Sequence, residues 1–61
     1  MLRLEKLRRA DPMGLEWYLD VFYDDIKLEA VRLYDPKGWF VAEFYDLSEA
    51  ERFVDTVGIE L

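Results

Sequence analysis

The feature that most restricts the fold of this 61-residue chain is a strict two-residue alternation between positions 15 and 24. One set of alternate side chains is apolar and the other mixes acidic with aromatic residues: Leu15, Trp17, Leu19, Val21 and Tyr23, against Glu16, Tyr18, Asp20, Phe22 and Asp24. Successive side chains of a β-strand point to opposite faces, and aromatic and β-branched residues favour strands. The segment therefore predicts a β-strand with one apolar face that must be buried.

Two turns divide the segment that follows. Asp24-Asp25 interrupts the alternation and is typical of a tight turn. Asp35-Pro36-Lys37-Gly38 predicts a hairpin, because Asp and Pro suit the first positions of a type I turn and Gly suits the left-handed position after it. With residues 39–45 as the returning strand, residues 15–45 form a predicted three-stranded antiparallel β-meander.

The apolar residues of the middle strand do not all fall on one face. Ile26, Leu28 and Ala30 alternate on one face, whereas Val31 and Leu33 alternate on the other. A β-bulge produces such a shift, and burial of both faces would allow it. Pairing across the second turn predicts three cross-strand neighbours: Leu33 with Val41, Tyr34 with Phe40, and Ala30 with Phe44. Both faces of the predicted hairpin are therefore largely apolar.

Residues 47–57 predict an amphipathic helix. Ser48 with Glu51 three residues later fits a capping box, so Ser48 is the predicted N-cap. The apolar residues recur at helical spacing and form one stripe: Ala50, Phe53, Val54 and Val57. Gly58 is the predicted stop, and residues 59–61 alternate like a short edge strand. The predicted fold class is α+β, with the helix packed on one face of the meander.

The N-terminal segment, residues 1–11, differs from the rest of this single predicted domain in charge. Residues 1–9 carry four basic side chains and one acidic one, a net charge of +3, whereas the remaining residues carry four basic and thirteen acidic ones, a net charge of −9. Leu2 and Leu4 alternate like a strand, while Leu4 and Leu7 have helical spacing, so both structures stay open. The basic end is either solvated or docked on an acidic surface or a phosphate.

Cys and His are both absent, which removes disulfides and the usual ligands of zinc, copper and haem. No calcium-loop or phosphate-loop spacing occurs, and Asp24-Asp25 is explained by its turn. Nucleophilic catalysis needs an activated side chain beside a base, and Ser48 is assigned to the helix cap. We therefore expect no metal, no cofactor, no catalytic residues and no enzymatic activity.

Asn and Gln are absent as well, and 36% of the residues are charged. This composition is typical of thermophile proteins, so we expect a thermophilic source and a high melting temperature. No apolar run is long enough to cross a membrane, and no apolar signal-peptide centre follows Met1. The expected location is the cytoplasm.

Trp39-Phe40-Val41-Ala42-Glu43 running into Asp46-Leu47 resembles the strand-to-loop segment of small partial-RNase-H-like antitoxins. The glycine- and threonine-bearing loop usual before the helix of that family is missing here. The chain is therefore not assigned to that family.

One amphipathic helix covers one face of a small sheet, and the second apolar face of the hairpin needs another cover. Aromatic residues are frequent anchors of protein interfaces. We therefore expect a protein-interaction module, either a homodimer or an accessory subunit, with interface candidates Trp17, Phe22, Trp39 and Val41. The alternative is an acidic inhibitor of a mobile-element type, which mimics nucleic acid and binds a nucleic-acid-processing enzyme. Nucleic-acid binding by the chain itself is disfavoured, because the sheet carries more acid than base.

Overall fold

The computed structural model describes residues 1–57, which form an antiparallel sheet and a C-terminal helix. The elements follow one another as β1 (Leu2–Ala10), β2 (Glu16–Asp24), β3 (Lys27–Tyr34), β4 (Phe40–Phe44) and α1 (Leu47–Thr56). The strands lie in sequence order in one four-stranded sheet. The α+β class and the meander are therefore confirmed, with one more strand than the three of the predicted meander. The helix stop predicted at Gly58 and the edge strand predicted at residues 59–61 lie outside the described residues.

The N-terminal segment is the fourth strand. Leu2 to Ala10 pairs residue by residue with β2, in a register that sets Leu7 opposite Leu19 and Arg9 opposite Trp17. Directly opposite residues share a face of the sheet, so Leu7 joins the apolar side of β2 while Leu4 lies on the other side. The leucines of β1 are therefore divided between the two faces, which is why the segment on its own was ambiguous.

The β1–β2 connection is organised by the Asp11 carboxylate. One oxygen, Oδ1, accepts hydrogen bonds from the backbone N–H groups of Met13 at 2.9 Å and Leu15 at 3.0 Å. The other, Oδ2, accepts from the indole Nε1–H of Trp17 at 2.9 Å. Gly14 completes the turn with a φ of 86°, a conformation that glycine adopts without steric cost. Asp11 is therefore a buried polar group whose hydrogen bonds all serve the turn and the first core residue of β2.

Two β-bulges set the register of β3. Phe22 pairs with Ala30 and Tyr23 with Leu28, so Glu29 is an extra residue. This bulge brings Leu28 onto the same face as Val31 and Leu33, which explains the shift of apolar phase within this strand.

The second bulge changes the predicted pairing with β4. Tyr34 lies opposite Phe40, as predicted. The predicted Leu33–Val41 and Ala30–Phe44 pairs are wrong, because Leu33 lies opposite Ala42, and Phe44 lies opposite Val31. Val41 is the extra residue, immediately after the hairpin turn.

The core lies between α1 and one face of the sheet. Its buried side chains come from two strands and the helix: Trp17, Leu19, Val21, Val31, Leu33, Ala50 and Val54. Each fully buried Val or Leu stabilises the fold by about 1.5–3 kcal/mol relative to an exposed one. Phe53 of α1 packs its ring edge-on to Trp17, with ring centroids 6.1 Å apart.

The helix begins at the predicted Leu47 and ends at Thr56, one residue before the predicted end, but the predicted N-cap is wrong. Asp46 has an extended backbone, with φ −148°, and its carboxylate accepts from the backbone N–H of Ser48 at 3.2 Å. Ser48 already lies inside the helix and donates its hydroxyl hydrogen to Asp46 Oδ2 at 2.9 Å. The chain enters α1 directly from β4, and this places Asp46 one residue before the first helical residue, Leu47. Within residues 1–57 no helix is long and apolar enough to cross a membrane.

Candidate interaction surface

The face of the sheet that points away from α1 is the candidate functional surface, and we call it the open face. Side chains alternate between the faces of a sheet, and paired residues share a face. The residues one position away from the core positions therefore lie on the open face. Its central part consists of Leu4, Lys6, Arg8, Tyr18, Asp20, Phe22, Ala30, Arg32, Tyr34, Phe40 and Glu43, and Glu16, Asp24 and Lys27 lie towards its ends. No element within residues 1–57 packs on it.

The first of three cross-strand rows on the open face is made of charges. Lys6, Asp20, Arg32 and Glu43 are successive direct neighbours across β1, β2, β3 and β4. Lys6 Nζ lies 3.5 Å from Asp20 Oδ1, and Arg32 Nε donates to Glu43 Oε1 at 3.1 Å. The row therefore reads plus, minus, plus, minus from one edge of the sheet to the other, and we call it the charged row.

Hydrogen bonds hold the outer end of the charged row. The Arg32 guanidinium and the hydroxyl of Tyr45, which donates to Glu43 Oε2 at 3.0 Å, keep the pKa of Glu43 below its usual range. The same contact with Glu43 raises the pKa of Arg32, and it also raises the pKa of the Tyr45 hydroxyl. These pKa shifts keep Glu43 negative and Arg32 positive at neutral pH.

The second row, which we call the aromatic row, lies two residues along the strands. It contains Arg8, Tyr18, Tyr34 and Phe40 as direct neighbours. The rings of Tyr34 and Phe40 meet edge-on with centroids 5.9 Å apart, and Phe40 is 57% exposed. An open concavity of about 450 Å³ lies between this row and the charged row, beside Tyr18 and Tyr34.

The third row, the apolar row, lies on the other side of the charged row. It contains Leu4, Phe22 and Ala30 as direct neighbours across β1, β2 and β3. The Arg32 guanidinium lies over the Phe22 ring, 5.3 Å from its centroid. The open face therefore has a charged centre between an aromatic side and an apolar side.

The four predicted interface residues lie in different environments. Trp17 is 8% exposed and belongs to the core beneath α1, so it is not part of the open face. Phe22 lies on the open face in the apolar row. Trp39 is 71% exposed just before β4, and Val41 is the half-exposed bulge residue of β4. Of the four, only Phe22 is therefore a member of the three rows.

The residues that sequence reasoning missed are those of the charged and aromatic rows. Lys6 and Arg8 join the open face only because β1 is a strand, and Glu43 lies opposite Arg32 only because of the bulge at Val41. The signal that could have found the aromatic row is the predicted Tyr34–Phe40 pair, since it already sets two rings side by side. The charged row has no comparable local signal.

The acidic pair at the β2–β3 turn is accounted for by contacts with the N-terminus and by the turn itself. Asp24 and Asp25 both accept from the N-terminal amine, at 3.3 and 3.4 Å. Asp25 has a φ of 56°, which suits a turn residue. Within the described residues, no three Asp or Glu side chains are grouped so that they could hold a metal ion.

The chain matches no protein-family model, no curated protein and no solved structure, so its function is inferred from its own residues.

Proposed function

We propose that this protein is a non-enzymatic protein-interaction module that binds through the open face, and that its first partner is a second copy of the same chain. The observation that carries the proposal is the composition of the open face. It presents aromatic and apolar side chains in two rows, although the core beneath α1 is already complete without them. Aromatic residues beside Arg are the usual anchors of protein interfaces.

The charge of the open face favours a copy of the same chain as the partner. The protein has a net charge of −6, so most approaches between two copies are repulsive. The open face, however, has balanced charges, with four basic and four acidic side chains: Lys6, Arg8, Lys27 and Arg32, with Glu16, Asp20, Asp24 and Glu43. Two copies therefore meet least repulsion where these faces meet.

The size of the open face fits a weak dimer. Four strands spaced by about 4.8 Å and about eight residues of about 3.3 Å each give a face of about 19 by 26 Å, or about 500 Å². Two such faces bury about 1,000 Å², the lower limit for a specific interface. We therefore expect a dimer that dissociates on dilution.

The experiment is light scattering behind a sizing column at several concentrations up to about 1 mM. We expect the mass to rise from 7.3 kDa towards twice that value. Phe40→Lys should shift this equilibrium to the monomer, because it adds a second positive charge to the aromatic row, which already carries Arg8. Met13→Lys, at an exposed position of the β1–β2 loop, is the matched control and should leave dimerisation unchanged. A wild-type protein that stays monomeric throughout would overturn the proposal.

A second candidate, the acidic inhibitor, is favoured by the charge of α1. The helix carries Glu49, Glu51 and Asp55 against Arg52 as its own basic residue, and Asp46 precedes it. Such a surface can occupy a basic nucleic-acid-binding groove by charge complementarity. Retention of a nucleic-acid-processing enzyme on the immobilised protein at low salt, lost at high salt, would support this candidate, and no retention at low salt would remove it.

A further inference from the structure

We infer the symmetry of the dimer from the order of residues in the three rows, an inference that rests on the proposed homodimer. Two copies pack face to face about a two-fold axis that runs parallel to the strands, midway between β2 and β3. This rotation keeps the position along the strands and reverses their order. β1 then lies over β4 of the partner, and β2 lies over the partner's β3.

The charged row is the main argument, because it is self-complementary on reversal. Reading plus, minus, plus, minus backwards gives minus, plus, minus, plus. Lys6 therefore faces the partner's Glu43, and Asp20 faces the partner's Arg32. Each charge then has an opposite charge beside it in its own sheet, at 3.5 or 3.1 Å, and another across the interface. Charges buried at an interface need this kind of multiple pairing.

The other two rows fit the same rotation. In the apolar row, the large Phe22 faces the partner's Ala30, so a ring lies over the smallest side chain of that row. In the aromatic row, Arg8 faces the partner's Phe40, and Tyr18 faces the partner's Tyr34. A guanidinium over an aromatic ring is an attractive contact. All three rows therefore gain complementary neighbours in one arrangement.

A two-fold axis perpendicular to the strands, along the charged row, is opposed by the same pattern. It keeps the strand order and sets each residue of the row over its own copy. Lys6 then faces the partner's Lys6, and Glu43 faces the partner's Glu43. Four like-charged contacts at the centre of a small interface oppose association. The axis parallel to the strands has none.

Charge reversal at Lys6 and Glu43 tests the arrangement. Lys6→Glu sets a carboxylate against the partner's Glu43, and Glu43→Lys sets an ammonium against the partner's Lys6. Each contact occurs twice in a two-fold dimer. We therefore expect each single variant to weaken dimerisation by about tenfold. The variant that carries both substitutions places a carboxylate at position 6 opposite an ammonium at position 43 of the partner, and it should recover an affinity near that of the wild type.

The restoration cannot come from contacts within one chain. Each substitution sets like charges side by side in its own sheet, a carboxylate at position 6 beside Asp20 and an ammonium at position 43 beside Arg32, so the intrachain effects accumulate in the double variant. Arg52→Glu is the control, since it changes the net charge by as much as Lys6→Glu but lies on the exposed side of α1. Dimerisation is measured by sedimentation equilibrium at about 0.15 M salt, where charges beyond about 8 Å are screened. Circular dichroism confirms that each variant is folded.

Each outcome has a defined meaning. Weaker single variants and a restored double variant support the parallel axis. A wild-type dimer in which the single variants have no effect, or in which the double variant is the weakest, overturns this arrangement and leaves the proposed homodimer in place. A wild-type protein that is monomeric under all conditions overturns both.

Discussion

Arg9 of β1 and Asp55 of α1 form a two-point ion pair between segments 46 residues apart in the chain. Arg9 Nε donates to Asp55 Oδ1 at 3.0 Å, and Nη2 donates to Oδ2 at 2.9 Å. Glu51, one turn earlier, lies 3.5 Å from Nη1. The hydrogen bonds from Arg9 hold the pKa of Asp55 below its usual range. Arg9, in the basic N-terminal segment, therefore links the acidic helix α1 to the edge strand β1.

The geometry of this pair predicts that Lys cannot replace Arg9. A guanidinium makes two parallel hydrogen bonds to one carboxylate, whereas an ammonium is a single point charge. Arg9→Lys should lower Tm, measured by circular dichroism. Arg52→Lys is the control, since Arg52 is exposed on α1 and lies outside the open face, and it should leave Tm unchanged. Equal effects of the two substitutions would show that the paired hydrogen bonds from Arg9 to Asp55 do not stabilise the fold.

Acid should remove the stabilisation that comes from Asp11. The hydrogen bond from Trp17, followed by backbone N–H donors, lowers the pKa of Asp11 from an ordinary value of 3.8. A carboxyl whose pKa is lower in the folded state stabilises the fold above its unfolded pKa, and this contribution disappears as the pH falls through the folded pKa. In urea unfolding, wild type should be more stable than Asp11→Asn at neutral pH, and the difference should shrink as the pH falls below 3.8 towards the folded pKa of Asp11. A difference that is constant with pH would show that the charge of Asp11 is not involved.

The two tryptophans should report different environments. Trp17 is 8% exposed, with its indole N–H bonded to Asp11, whereas Trp39 is 71% exposed. The variant Trp39→Phe, which retains Trp17, should emit at shorter wavelength and resist quenching by iodide. Trp17→Phe, which retains Trp39, should emit at longer wavelength and be quenched readily. These spectra are recorded at a concentration low enough for the monomer, and spectra in the reverse order would contradict the packing of Trp17 under α1.

The helix cap gives a comparison between neighbouring residues. Asp46→Ala should cost about 1 kcal/mol of unfolding free energy, as expected for loss of an N-cap. Ser48→Ala should cost less, because Ser48 contributes a hydroxyl bond to Asp46 and its backbone N–H remains. Urea unfolding measures both. A larger effect at Ser48 would restore the capping box that the sequence predicts.

The tight core predicts a large effect of one truncation. Leu33 is fully buried between β2, β4 and α1, so Leu33→Ala should cost about 2–5 kcal/mol. That range is comparable to the whole stability of a domain this small. Leu2→Ala, at a side chain that is 69% exposed, is the control and should cost little. The check is again urea unfolding, and similar midpoints for the two variants would contradict the assigned core.

The features that the sequence by itself determined are those set by neighbours along the chain. The alternation in β2, the turn at Asp35 and Gly38, and the apolar stripe of α1 each follow from local periodicity or turn chemistry, and each is present in the structure. Asp35 Oδ1 accepts from the backbone N–H groups of Lys37 and Trp39, as a turn aspartate does. Such contacts join residues only a few positions apart, so the local sequence is sufficient to predict them.

Only the tertiary structure decided the state of residues 1–11, the two bulges and the open face. β1 is a strand because β2 offers it a free edge, and Leu7 and Arg9 then find partners in the core and on α1. The bulges at Glu29 and Val41 put apolar residues of β3 and β4 on the core face, since a one-residue shift exchanges the two faces of a strand. The charged row forms from four residues that are neighbours only across strands.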